Sequence, residues 1–193
     1  MVALIVPTIP TFPAGYIVQQ SDLTALSAAA AFLLNKPFTR VVDNTGGVSI
    51  PTSFLQISFT AAEIDVDGMW KASNPNILTI QTPGWYKVRY TVAISTPNNS
   101  DYNTEVSFTT GPNNPLGSGT NFGSFYASYV TDGAFMHASG SGIIPYYLYS
   151  GDQVHLHVIS GGDTGGHTMG APQGTFGSGN AGCQMSLEFV SAV

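Results

Sequence analysis

The fold is decided by the stretch from Leu78 to Ile94, which reads LTIQTPGWYKVRYTVAI. It holds two apolar runs separated by a Pro-Gly pair. Pro83 presets the backbone angle φ for the first central position of a turn, and Gly84 tolerates the positive φ that a type II turn needs next. The sequence therefore predicts two strands joined by a type II turn at Pro83-Gly84.

The strand after this corner alternates between two kinds of side chain. Aromatic and branched residues recur at every second position from Tyr86 to Ile94, and Lys87 and Arg89 lie between them. A period of two indicates a strand with one apolar and one solvated face. Such a strand belongs to an antiparallel sheet whose apolar face is covered by a second sheet. We therefore expect an all-β protein built as a β-sandwich.

The same period of two recurs from Phe38 towards the C-terminus, and clusters of Gly, Pro, Asn and Asp separate the apolar runs. Many short strands divided by turns are typical of a sandwich or a jelly roll. A Gly-rich loop at 161–182 is long enough to predict a functional role or a neighbour that orders it. Strands are predicted at Phe38–Asp43, Leu55–Phe59, Ile77–Ile80, Tyr86–Ser95, Thr104–Thr109, Ser124–Val130, Phe135–Ser139, Gln153–Ser160 and Gln184–Val190.

Residues 1–37 differ from the rest and are predicted to form a separate N-terminal segment, with the jelly-roll domain at 38–193. Three prolines in residues 1–15 predict an extended arm without internal hydrogen bonds, which is ordered only when something binds it. Ser21 or Asp22 can cap a helix that runs to about Asn35. The helix can lie against its own sandwich or contact another protein. The residues predicted to dock the segment to a partner are Leu4, Ile5, Phe12, Leu23, Leu26 and Leu33.

Composition excludes some functions. Only 8% of the 193 residues are charged and the net charge is −6, so the chain lacks the basic surface that nucleic-acid binding requires. So low a charge favours assembly, because the cores of interfaces are depleted in charge; a neutral secreted domain is the alternative. Cys183 is the single cysteine, which rules out an intrachain disulfide. The apolar start ends at Pro7, so we expect neither a cleaved signal of this kind nor membrane insertion.

Four short segments resemble the C1q/TNF-like jelly roll. Residues 63–70 read EIDVDGMW and 83–86 read PGWY, in the order found in the first half of that fold. Residues 149–156 read YSGDQVHL, which is similar to the family's L-x-x-G-D-x-V-x-L strand. Residues 185–190 read MSLEFV and are similar to its closing strand. The resemblance covers roughly residues 40–193 and implies a jelly-roll β-sandwich that forms a homotrimer.

The N-terminal segment resembles leaders of virion proteins from tailed phages that infect actinobacteria. It reads PTFPAG at 10–15, SDL at 21–23 and FLLNKP at 32–37. The resemblance implies a trimeric component of the virion surface, assembled in the host cytoplasm: a capsid decoration or head fibre protein, or a minor tail protein. Its partners would be other capsid or tail proteins. The chain has no collagen-like segment or long shaft, which favours a compact knob docked through its N-terminus.

Catalysis and cofactors find little support in the sequence. No Gly-x-Ser-x-Gly elbow is present, and the carboxylates are scattered rather than paired. We therefore predict a protein that is not an enzyme and uses no cofactor, with a hydrolase of surface polysaccharide as a remote alternative. His155 and His157 lie two apart on a predicted strand and so share a face, where a trimer axis would bring six imidazoles together as a candidate metal site. A polar sheet face explains the same pair without a metal.

Aromatic residues are the main candidates for binding. A cluster between 122 and 149 can fill a contact between subunits or stack on sugars, and the C1q/TNF-like resemblance favours the contact between subunits. A host receptor or surface glycan, bound through these aromatics and the loop at 161–182, is the alternative function. The residues predicted to form the trimer interface are Tyr126, Tyr129, Tyr147 and Tyr149.

Overall fold

The structure is a computed structural model that describes residues 5–45, 48–95, 100–109, 120–129, 135–141, 146–160, 168–169 and 183–192; from 93 to 141, at 160 and at 168–169 it describes the backbone alone. In these ranges one helix precedes two antiparallel sheets, as the sequence predicts. The elements are α1 (Gln20–Leu34), β1 (Phe38–Asp43), β2 (Val48–Ser49), β3 (Leu55–Gln56), β4 (Ala61–Asp65), β5 (Trp70–Lys71), β6 (Asn74–Thr79), β7 (Gly84–Ser95), β8 (Ser100–Thr109), β9 (Thr120–Tyr129), β10 (Phe135–Ser141), β11 (Tyr146–Leu148), β12 (Gln153–Ser160), β13 (Thr168–Met169) and β14 (Cys183–Ser191).

The strands form two sheets whose neighbours are seldom consecutive in sequence. Sheet A has the order β2-β13-β7-β14-β1-β4, and β10 and β11 also pair with β7. Sheet B has the order β5-β6-β12-β8-β9, and β3 also pairs with β12. The predicted central strand is β7, which pairs with four other strands of sheet A.

The core lies between the two sheets and follows from the alternation in each strand. Tyr86 and Val88 of β7 and Leu187 of β14 point inward from sheet A, and Leu156 and Val158 of β12 point inward from sheet B. Burial of apolar side chains of this size stabilises a fold by roughly 1.5–3 kcal/mol each. Other buried members of the cluster are Val41, Ile57, Phe59, Met69, Leu78, Ile80, Val92, Leu148, Val154, Met185 and Phe189.

The predicted strands agree with the structure where periodicity is long. Phe38–Asp43 and Gln153–Ser160 are found with the predicted bounds, and the other predicted strands overlap observed ones. The strand predicted at Leu55–Phe59 is only two residues long. The prediction missed five short strands, because two to five residues carry too little periodicity to be recognised. The turn predicted at 96–99 and most of the loop predicted at 161–182 lie outside the described residues.

The Pro-Gly corner is real, but the predicted type II turn is wrong. Gly84 is the first residue of β7, and the described glycines with positive φ are Gly15, Gly68 and Gly151. A Cβ built on Gly84 would collide with the ring of Phe189 and lie 2.8 Å from the carbonyl oxygen of Ser191. Glycine is therefore required because β14 approaches its backbone closely, where the pairing of the two strands is irregular.

Hydrogen bonds hold this corner in place. The backbone N–H of Thr82 donates to the Asp67 carboxylate at 3.1 Å, and the Tyr86 hydroxyl donates to the carbonyl oxygen of Thr82 at 2.6 Å. Burial, with a smaller contribution from the Asp67 carboxylate, raises the pKa of Tyr86 far above its ordinary value. The hydroxyl therefore stays protonated and remains a hydrogen-bond donor.

The helix begins slightly earlier than predicted. Gln19 is the residue that precedes its first turn, and the Asp22 carboxylate accepts a hydrogen bond from the Gln19 backbone N–H at 2.8 Å. Asp22 thus closes the first turn from inside the helix rather than capping it from outside. At the other end, the ring of Phe32 packs edge-on against Phe189, with 5.4 Å between ring centroids. Among the described residues, no helix is long and apolar enough to cross a membrane.

We expect Gly84→Ala to lower the free energy of unfolding by about 1–3 kcal/mol, the usual range for adding atoms to a filled site. Gly84→Asn should be worse, because its larger side chain meets the same ring and carbonyl oxygen. A left-handed backbone would give the opposite order, since Asn tolerates positive φ better than Ala. Chemical denaturation of the two variants measures the order, and an Asn variant as stable as the Ala variant would contradict the close-approach explanation.

Candidate functional site

The two histidines of β12 share one face, as predicted, and that face points away from the core. Their neighbours Val154, Leu156 and Val158 fill the core, so alternation places both rings on the outer face of sheet B. His155 and His157 are nevertheless only 6% and 3% exposed. Their ring centroids are 5.9 Å apart.

The segment around β3 covers the histidine pair. The Gln56 side-chain amide hydrogen-bonds Nδ1 of His155 and also donates to the carbonyl oxygen of Asn76 at 3.0 Å. The ring of Phe54 packs edge-on against His157, with 5.9 Å between centroids. In the register of the sheet, Glu105 of β8 is the Cα partner of His157. Two rings on an outer face are thus enclosed by the protein's own chain.

Enclosure changes the acid–base chemistry of both rings. Burial lowers the pKa of His155 to about 4, with a smaller contribution from neighbouring His157. Burial also lowers the pKa of His157 to about 4. Both imidazoles are therefore neutral at physiological pH, since the charged form is disfavoured away from water.

The carboxylates near these sheets build turns. Asp65 accepts hydrogen bonds from the hydroxyl of Thr39 at 2.8 Å and from the backbone N–H of Met69 at 2.9 Å. Gly68 has a φ of 68°, which suits the tight turn between Asp67 and Met69. Within the described ranges, no three His, Cys, Asp or Glu side chains lie close enough together to hold a metal ion.

Three aromatic side chains form a ladder on the outer face of sheet A. The rings of Trp85 and Tyr147 pack edge-on at 5.7 Å, and those of Tyr147 and Tyr149 at 5.0 Å. Tyr149 is 63% exposed, and its backbone N–H donates to the Asp152 carboxylate at 2.8 Å. We call Trp85, Tyr147 and Tyr149 the aromatic ladder. The predicted interface residues Tyr126 and Tyr129 lie on β9, where the structure describes only the backbone.

A groove of about 520 Å³ runs across three strands on the same outer face. We call it the cationic groove, because three of the protein's five Lys and Arg residues line it. Those three cations stand around a polar floor, which is bounded at one end by a carboxylate. The residues that define the groove are Arg40, Lys87, Arg89, Gln184, Ser186 and Glu188.

One arginine of the groove is fixed by hydrogen bonds. Arg40 forms an ion pair with Glu63, with 3.0 Å between Nε and the carboxylate oxygen, and donates to the Gln184 side-chain oxygen at 2.8 Å. Gln184 in turn donates to the hydroxyl of Thr91 at 3.4 Å. These contacts position the guanidinium at the edge of the groove.

The N-terminal segment leaves most of its apolar side chains in solvent. Ile5, Leu23 and Leu33 are 84%, 59% and 64% exposed, and Phe12 and Leu26 are also exposed. The helix packs against the core through Phe32 instead, Ala29 is its buried residue, and Val6 of the arm also packs against the core. The arm is therefore partly held by its own domain. Leu4 lies outside the described residues.

Comparison with known proteins identifies the architecture. No family model matches the sequence, and no curated protein sequence matches it. The globular domain of the zebrafish complement 1qA protein matches with a TM-score of 0.54 and 14% identity, over 82% of this chain and 100% of that chain. Murine APRIL at pH 5.0 matches with a TM-score of 0.54 and 12% identity, over 79% of this chain and 98% of that chain.

The fold is a C1q/TNF-like jelly roll. A second structure of murine APRIL, at pH 8.0, agrees, with a TM-score of 0.53 and 12% identity over 79% of this chain and 98% of that chain. The fold predicted from the sequence segments is thus confirmed. At these identities, the likeness establishes the architecture of the jelly roll and leaves its function to be argued from its own surfaces.

Neither the cationic groove nor a role for Trp85 in a site follows from the sequence patterns. The alternation in β7 predicts Lys87 and Arg89 on its solvated face and places Trp85 beside them. What the sequence does not give is the register, which sets Arg40 opposite Ser186 and Ser186 opposite Arg89. The period-two spacing of three side chains on β7 was the available signal.

The histidine pair predicts how stability depends on pH. Because folding lowers both pKa values from about 6.5 to about 4, the unfolded chain binds more protons between these values, and the free energy of unfolding rises with pH there. The contribution is complete above about pH 6.5 and is lost as the pH falls towards 4. We expect a loss on the order of a few kcal/mol for the pair.

Replacing both histidines by Gln tests this expectation, because Gln keeps a polar side chain that does not titrate. The difference in unfolding free energy between pH 6.5 and pH 4 should be smaller in the double variant than in the parent protein. Urea denaturation across this range measures it, and carboxylates affect both proteins alike. Equal differences in the two proteins would show that the histidines do not control the acid response.

Proposed function

We propose that the protein is a structural virion component of a tailed bacteriophage, a homotrimeric knob fixed to the capsid or tail by its N-terminal arm and helix. The main support is that most large apolar side chains in residues 5–34 are exposed to solvent rather than covered by the jelly roll. Exposed apolar side chains in such number mark a surface that binds another protein. The leader-like sequence of the same segment supports a virion partner.

Different residues of the helix contact the sandwich and the solvent. Phe32 packs against the core of the sandwich, while Leu23, Leu26 and Leu33 are exposed and can contact a partner. A partner that covers these leucines would gain apolar burial without dismantling the contact at Phe32. Three copies of the segment on one trimer would engage the particle together and raise the avidity.

The trimer is supported by fold and composition. C1q/TNF-like domains are often trimeric. The chain also carries charges on only 8% of its residues, as suits a surface that subunits share. Tyr147 and Tyr149 are exposed or half-exposed aromatics of the kind that interfaces favour. With Tyr126 and Tyr129 they are the proposed contact residues. The location is the surface of the phage particle, and the role is structural rather than enzymatic.

A second candidate function is recognition of a host-surface glycan. The aromatic ladder favours it, because exposed rings in line along one strand edge offer flat apolar faces to sugar rings. The same ladder would serve a trimer contact if subunits meet there. Glycan binding therefore requires that Tyr149 is exposed, whereas a trimer contact at the ladder requires that another subunit covers it.

The trimer has a direct test. Light scattering at micromolar concentration should give three times the 20.2 kDa mass of the chain. Replacing Tyr149 by Ala should weaken the trimer if that ring is covered in the assembly, since truncation of a buried aromatic anchor is costly. A stable particle of one chain mass would overturn the proposal of a homotrimer.

The docking role is tested by changing exposed leucines. We expect Leu23→Ser/Leu33→Ser to fold and assemble as the parent does, because both side chains are largely in solvent, but to fail to join the phage particle. A matched control is Ile64→Ser/Val66→Ser, which removes two exposed apolar side chains from the sandwich instead. Co-sedimentation with virions assembled in the presence of each variant is the measurement.

Deletion of residues 1–37 gives the same test at larger scale. It should also lower thermal stability, because Val6 and Phe32 pack against the core. Retention of the leucine variant on virions, or equal loss of the leucine variant and its sandwich control, would contradict docking through the helix.

A further inference from the structure

We propose that Glu188 in the cationic groove of one subunit forms an ion pair with Arg89 of the partner subunit, and that this pair fixes the register in which the subunits meet. The pair rests on the homotrimer proposed above and adds a charged contact to it. Three observations carry it: charges of the groove that have no partner in their own chain, the uneven distribution of charge, and the continuity of the groove with the aromatic ladder.

Glu188 is the carboxylate that its own chain leaves without a partner. The structure describes the side chains of seven acidic residues. Six of them accept a hydrogen bond or form an ion pair within the chain: Asp22, Asp43, Glu63, Asp65, Asp67 and Asp152. Within the described residues Glu188 does neither, although it lines the groove and is only half-buried. Its carboxylate is therefore available to a second molecule.

Two cations of the groove also have no ion pair. Arg40 is held by Glu63. Among the described side chains neither Lys87 nor Arg89 forms such a pair, even though Lys87 lies opposite Glu188 in the register of β7 and β14. Arg89 is exposed, whereas Lys87 is half-buried. The exposed guanidinium is therefore the group that a carboxylate from outside can reach, and it binds carboxylates through paired, planar hydrogen bonds.

The distribution of charge favours a second copy of the chain as the occupant. Three of the five Lys and Arg residues line the groove, but of the eleven Asp and Glu residues Glu188 alone is among the described lining residues. A second copy has the same net charge of −6 and is attracted to a positively charged groove. In a closed ring of three, each contact joins two different patches, so a cation of one copy can face a carboxylate of the next.

The groove is continuous with the proposed contact between subunits. Trp85 of the aromatic ladder, Lys87 and Arg89 share the outer side of β7 at intervals of about 7 Å. Tyr147, a proposed contact residue, lies opposite Trp85. A stable contact buries about 800 Å² on each partner, which corresponds to a patch roughly 30 Å across. A subunit that covers Tyr147 therefore also reaches Arg89.

The ion pair offsets a repulsion that assembly creates. Bringing the cationic grooves of several copies towards one another costs free energy, because like charges repel. Glu188 reduces this cost when it contacts Arg89 of the partner subunit. Removal of the two charges from water costs about as much as their attraction returns, so the pair selects the register of the contact while the aromatic rings supply most of its affinity.

Charge reversal tests the pair. Two carboxylates would meet in Arg89→Glu and two cations in Glu188→Arg, so each variant should dissociate at a concentration about tenfold or more above that of the parent trimer. Lys71→Glu makes the same change of charge at an exposed position of the other sheet and should assemble as the parent does. Analytical ultracentrifugation of the full chain over a range of concentrations measures dissociation, and circular dichroism checks that each variant is folded.

Mixing the two reversed variants distinguishes a pair between subunits from a pair within one chain. In a mixed ring, the new carboxylate of Arg89→Glu can face the new guanidinium of Glu188→Arg, so that most contacts regain opposite charges. We expect the mixture to form trimers that contain both variants. A pair within one chain gives no recovery on mixing, because each chain still carries two like charges.

The contrary outcomes separate the trimer from the ion pair. A monomeric parent protein would overturn the homotrimer itself. A trimeric parent with Arg89→Glu as stable as Lys71→Glu, or a mixture that stays dissociated, would overturn the ion pair and leave the homotrimer standing. If a reversed variant does not fold, the parent protein decides alone. Added salt should weaken a trimer that an ion pair holds in register, and a trimer that salt leaves unchanged or strengthens would overturn the pair.

Discussion

The approach of Phe189 to the backbone of Gly84 is the constraint on which the rest of the structure depends. The ring occupies the space in which a side chain at position 84 would lie, and it packs edge-on against both Tyr86 and Phe32. One residue thereby joins the two central strands of sheet A, the core, and the helix that precedes the domain. The hydrogen bonds of Thr82 with Asp67 and Tyr86 then hold the corner that delivers β7 to this position.

The two outer faces of the sandwich differ in exposure, because a segment of the chain covers the histidines on sheet B while the groove on sheet A stays open. The segment around β3 lies over the histidines of sheet B, so that polar rings on an outer face become buried and neutral. On sheet A the cationic groove and the aromatic ladder remain accessible in the single chain. The polar groups of the first face are therefore buried within the chain, whereas those of the second stay at its surface, where another subunit can contact them.

Much of the fold could be predicted from the sequence because the long strands alternate clearly. The period of two predicts β7, β12 and β14, and it also places His155 and His157 on one face. The Pro-Gly pair predicts the corner correctly but not the reason for Gly84, because the requirement for glycine comes from Phe189, which is remote in sequence. The groove could not be predicted, because it exists only where the register of β1, β14 and β7 brings Arg40, Ser186 and Arg89 into one row. Local patterns specify faces, whereas sites depend on pairing between distant segments.

The strand of the sandwich that comes last in sequence lies in the middle of sheet A. β14 is hydrogen-bonded to β7 on one side and to β1, the first strand, on the other. Until β14 leaves the ribosome, β1 and β7 lack the strand between them, and the edges that will pair with it stay open. The sandwich can therefore close only once β14 is available, through contacts that are long in sequence and slow to form. Chains in that open state expose unpaired strand edges to one another, and such edges favour association between chains over closure within one chain.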